Sequence, residues 1–170
     1  MRPARLILLA AVAVLSLAVT ALASAQRPGP VEDGTLSVRD GRATIQLRIK
    51  GGVIGRFARG KLTVIHSRVD TSTVVVRGAE SVRSPNGRTT VYSGRNIRFR
   101  IADDRKFTLR INASKINFSA VGRGDGWLDG WGNPDRGVYF DGSFSLNGDA
   151  YKSIPDERDP LVLSALPSGS

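Results

Sequence analysis

A period-two alternation of apolar and polar residues, repeated along the chain, narrows the fold more than any other feature. Ala43, Ile45, Leu47 and Ile49 alternate with Thr44, Gln46, Arg48 and Lys50. A β-strand turns successive side chains to opposite faces, so this pattern predicts a half-buried strand. It recurs with Ile97, Phe99 and Ile101 against Asn96, Arg98 and Arg100, and with Phe107, Leu109 and Ile111 against Thr108, Arg110 and Asn112. A fourth run sets Ile116, Phe118 and Ala120 against Lys115, Asn117 and Ser119. Shorter candidates run over 36–39, 62–65, 74–77, 89–92, 138–140 and 143–146. Beyond the N-terminal segment no window carries a helical stripe.

Asp-Gly or Asn-Gly dipeptides punctuate these runs at 33–34, 40–41, 86–87, 125–126, 129–130, 141–142 and 147–148. Such pairs accept the positive φ of tight type I′ turns. "LSVRDGRATIQL", "VYFDGSFSL" and "SFSLNGDAYKS" therefore read as antiparallel hairpins, and Asp103-Asp104 as the turn between the Ile101 and Phe107 strands. Strands with one apolar face must close those faces on each other. The expected fold is an all-β antiparallel sandwich, with a barrel as the alternative and a parallel solenoid, which needs no hairpins, less favoured. "TIQLRI" followed by "RFARGKL" resembles "FTLRI" followed by "SAVGRGDGWL", with offsets of 62 (Ile45 to Phe107) and 64 (Gly60 to Gly124). A duplication with a two-residue insertion would explain this, as would chance similarity in an Arg- and Gly-rich β chain.

The N-terminus has the three parts of a secretory signal: basic Met1–Arg5, an apolar run from Leu6, and Ala21-Leu22-Ala23-Ser24-Ala25. The expected organisation is a signal peptide over 1–25, a linker over 26–33, an all-β domain over 34–155, and a tail over 156–170 holding one short strand near 161–163. The alternative is a membrane anchor, since Leu6 to Ala23 borders on spanning length; a membrane partner is expected only in that case. There is no cysteine, hence no disulfide framework. Without Arg2 and Arg5 the remaining chain has 23 basic and 15 acidic side chains, a net charge of +8. That balance favours anionic partners.

"VYSGRNIRFR" (91–100), then "INFSAVGRGDGWLDG" (116–130) and "RGVYFDGSFSLNG", resemble a family of uncharacterised secreted bacterial β-rich proteins. The resemblance implies export and an all-β domain and assigns no catalytic residue.

Catalytic groups are few. His66 is the one histidine and lies on the apolar parity of its strand, where packing at a strand end is the expected role. One histidine without cysteine makes a zinc site unexpected. Asp103-Asp104, or Asp125 with Asp129, supply paired carboxylates, but glycoside hydrolysis needs them across a cleft. Asp125, Asp129 and Asp135, with Asn133 and Asp141 nearby, are hard oxygen donors for calcium, though their spacing departs from an EF-hand and turn formation explains them as well. The outward positions Arg48, Arg98, Arg100, Arg110, Lys115 and Asn117 form a cationic face. It carries no interleaved aromatic, so nucleic acid is not the expected partner. An anionic envelope polymer or glycan fits better, through charge-assisted contacts. The plain competitor is a solvated face that blocks edge aggregation. Turn chemistry leaves Trp127 and Trp131 unexplained: they either plug the core or form a platform for a carbohydrate, as module or enzyme.

Overall fold

In the computed structural model the alternating segments merge into fewer and longer strands than their spacing suggests. Residues 32–66, 74–132 and 140–164 are described; the expected signal segment, Asp135 and most of the 138–140 candidate strand lie outside them. Among the described residues six strands follow in order: β1 Gly34–His66, β2 Val74–Arg83, β3 Thr89–Gly130, β4 Ser143–Leu146, β5 Lys152–Ser153 and β6 Asp159–Leu163. All five strand pairings are antiparallel, in one sheet ordered β2-β3-β1-β4-β5 with β6 on β3. The fold is all-β, and its parity is that of the alternation: Ile45, Leu47, Ile49, Ile97, Ile101 and Ile111 are fully buried. The sheet does not close into a ring, since its ends β2 and β5 do not pair. Antiparallel pairing throughout excludes the solenoid.

The layers that face each other across the core belong to the same two strands. Ile49 of β1 pairs with Phe107 on one side and Gly124 on the other. Were β3 straight, those partners would be on the order of 55 Å apart, whereas flanking a single strand brings them to about 10 Å. β3 therefore coils back on itself between them, and β1 coils with it around the shared core. One close crossing is at Gly51 and Gly122, which face each other with φ of 147° and 150°. A Cβ on Gly51 would strike the carbonyl of Val121, and one on Gly122 the carbonyl of Lys50.

The register of this coil is symmetric at the offset of the sequence similarity. Gly51 pairs with Gly122 and Gly60 with Ala113; shifting 51 and 60 by 62 positions lands on 113 and 122, so the two pairs exchange. Gly60 and Gly122 also share similar φ, 155° and 150°. The glycine equivalent to Gly60 is thus Gly122, and the offset of 62 holds without the expected insertion.

Several turn assignments are corrected. Asp40-Gly41 is a bulge within β1, not a hairpin: Val38 pairs with Phe118 and Gly41 with Ile116, leaving one residue extra, and Asp40 takes φ 48°. Both flanks pair with β3, and Leu36, Val38, Ala43 and Ile45 are buried on them. Asp103-Asp104 is likewise a bulge inside β3, between the Gly51↔Asp103 and Ile49↔Phe107 pairs. Asp125-Gly126 and Asp129-Gly130 are strand residues; Gly124 and Gly126 face inward, where a Cβ would meet the backbone of β1 at Arg48 and Gln46. The expected turns do form at Asn86-Gly87, between β2 and β3, and at Asn147-Gly148 between β4 and β5, with φ of 51° and 85° at the latter. β6 pairs with Gly124–Leu128 and places Leu161 and Leu163 in the core, so the domain continues past residue 155.

A candidate anion-binding groove

The coil divides the expected cationic face in two. On one part, Arg48 pairs with Thr108 and Asp125, and Arg110 with Gln46 and Thr63. Gln46 in turn faces Trp127, whose ring carries Arg110 at 5.8 Å and Arg158 at 4.0 Å. Arg158 so close to the ring leaves that face of Trp127 occupied, which counts against its use as a sugar platform. Trp131 is placed apart: its Nε1 donates to Thr44 Oγ1 at 3.1 Å, which also accepts from Asn112 Nδ2 at 2.8 Å. Asp141, buried, accepts from Gly132 N and from Arg42 Nε and latches this segment to β1. Trp131 borders a cavity of about 450 Å³ with Lys61, Glu80, Ser93 and Asn112.

Arg98, Arg100, Lys115 and Asn117 converge elsewhere, with partners that the alternation did not single out. Arg77 of β2 pairs with Arg98 of β3, Arg98 with Arg56 of β1, and Arg56 with Asn117 on its other side. Three arginines thus stand in one cross-strand row, where like charges directly opposite are destabilising. Among the described residues none of the three takes part in a salt bridge. Asn117 closes the row through a reciprocal pair with Asp40: its Nδ2 donates to Asp40 Oδ1 at 3.2 Å and its Oδ1 accepts from Asp40 N at 3.3 Å.

Backbone irregularity gathers at the same place. Of the four described non-glycine residues with positive φ, three, Asp40, Asn96 and Lys115, line one cavity of about 280 Å³ together with Arg56, Arg98 and Asn117. A left-handed residue in a strand re-aims its neighbours and is sustained only where surrounding structure holds it. Here each bulge restores inward parity, as Lys115 does between Ala113 and Ile116, and turns a polar side chain toward the row. A second cavity, about 580 Å³, adjoins it and shares Arg56, Arg98 and Asn117; Ile54, Val75, Phe99, Arg77 and Arg100 complete it. Together they make a groove with a polar end and an apolar end. Arg56 escapes the sequence reading because "GGVIGRFARG" has too many glycines to show a clean alternation; Arg77 ends the 74–77 candidate strand, and nothing local places either arginine against Arg98.

Asp125 and Asp129 do not meet as a calcium site in a loop. Asp125 faces Arg48 and Asp129 faces Thr44 across the strands, and Asp135 is outside the described residues. No group of three or more His, Asp or Glu placed to hold a metal ion occurs among the described residues.

His66 ends β1, buried, with its ring stacked on Phe107 at 6.4 Å. Its backbone N–H donates to Arg88 O at 2.9 Å, while Nδ1 lies 3.8 Å from Asp103 Oδ2 without a hydrogen bond. Burial pushes the Asp103 carboxyl up, but the backbone N–H and guanidinium of Arg105 outweigh it and hold the group below the ordinary carboxylate range. Comparison with protein-family models, curated proteins and solved structures finds no match for the chain.

Proposed function

We propose that this chain is an exported, envelope-associated β domain that works by binding an anionic polymer through the arginine groove. The observation that carries the reading is the Arg77–Arg98–Arg56 row, three cations in register without acidic partners among the described residues. A sheet gains nothing in stability from such a row, whereas a chain of phosphates or carboxylates neutralises it through several charge-assisted hydrogen bonds at once. Guanidinium forks suit either anion, and the net charge of +8 beyond the N-terminal arginines draws polyanions toward the molecule.

Retention on immobilised polyphosphate or heparin tests it. The protein is expected to bind at low ionic strength and to elute as salt rises. An Arg56→Ala, Arg98→Ala double variant is expected to elute at clearly lower salt, and an Arg48→Ala, Arg110→Ala variant close to wild type. Equal elution of the two variants would remove the groove as the binding surface.

A further inference from the structure

We infer that the ligand of this groove is an amphiphilic anion, an anionic phospholipid at a bilayer surface, and not only a hydrated polymer. The inference rests on the anion-binding reading of the same groove. Its added observation is the row beside the arginines. Ile54 pairs with Arg100 and Arg100 with Val75, so two branched aliphatic side chains flank a guanidinium. They are 60% and 51% exposed, although both line the larger cavity that Arg56, Arg77 and Arg98 also border. Inorganic polyphosphate has no carbon to place on Ile54 or Val75, and the CH groups of an anionic glycan are interspersed with hydroxyls and charges and offer no continuous apolar segment. A phospholipid has both parts: phosphate oxygens for the guanidinium forks, and glycerol and upper acyl carbons for the aliphatic pair. Arginine stems extend the apolar contact while their heads stay with the phosphates. Ile54, Val75 and the groove arginines all lie outside residues 1–25, the segment to which the alternative membrane anchor belongs.

Co-sedimentation with three probes separates the possibilities: vesicles of phosphatidylcholine mixed with phosphatidylglycerol, vesicles of phosphatidylcholine alone, and inorganic polyphosphate measured by titration. The wild-type chain is expected to bind the mixed vesicles and the polyphosphate. It is expected to bind pure phosphatidylcholine much more weakly, and equal binding to both vesicle types would overturn the anionic requirement. An Ile54→Ser, Val75→Ser double variant alters exposed positions, and its circular dichroism should match wild type. It is expected to lose affinity for mixed vesicles by about tenfold or more while keeping its affinity for polyphosphate. Unchanged vesicle binding by that variant overturns the amphiphile and leaves the arginine groove standing as long as polyphosphate binds. Failure of the wild-type chain to bind polyphosphate overturns the underlying anion reading, and this inference with it.

Discussion

Asp103 has a side chain only 6% exposed and keeps its charge through Arg105, whose backbone N–H donates to Oδ1 at 2.9 Å. A carboxylate held below its unfolded value stabilises the fold above the ordinary carboxylate range, and that contribution is lost as pH falls through the folded value. Stability is therefore expected to drop as pH falls below about 4, and less steeply in Asp103→Asn, which has no proton to take up. Denaturant midpoints of both proteins across that range check it. Gly122 poses a different constraint, because its backbone conformation and its closeness to Lys50 both exclude a side chain. Gly122→Ala is expected to cost about 1–3 kcal/mol or more, read from urea unfolding. Gly148, at φ 85° but with open space around it, should tolerate alanine better than Gly122 does.

Among the elements, the central β1–β3 pair was legible as strands and illegible as a pair. The alternation over 43–49 and 107–111 predicts the buried positions correctly, since inward parity needs only the local pleat. It does not show that residues 43–49 are flanked on both edges by β3, because either edge of a strand offers the same donors and acceptors. The Asp-Gly pairs misled for a related reason: an αL residue serves a bulge as well as a turn, and long-range pairing decides between them. The arginine row is a consequence of that pairing. If Arg98 is kept for binding at the expense of stability, Arg98→Gln should raise the thermal midpoint at low salt by the equivalent of a few tenths of a kcal/mol. The gain should shrink as salt screens the row. A midpoint that falls, or is unchanged at low salt, would mean that Arg56, Arg77 and Arg98 do not repel one another.

At the scale of the whole molecule, one sheet coils around one core, and the far end of the chain completes it. Leu161 and Leu163 are each 1% exposed, and β6 reaches them to β3 through the Gly126↔Leu161 and Gly124↔Leu163 pairs, opposite inward-facing glycines. Leu161→Ala is therefore expected to cost about 2–5 kcal/mol, a core value although the residue lies near the C-terminus. A cost under about 0.5 kcal/mol, as for a surface position, would count against that packing. Of the expected binding face, Arg98, Arg100, Lys115 and Asn117 meet in the groove, while Arg48, Arg110 and Trp127 form a separate surface and Trp131 borders a third. The all-β class, the inward positions and the cationic character follow from sequence alone, because pleat parity and charge are local properties of the chain. Which strands share an edge, which glycines allow the coil to tighten, and which arginines confront one another follow from the tertiary structure. These depend on register between residues tens of positions apart, and no local spacing encodes it.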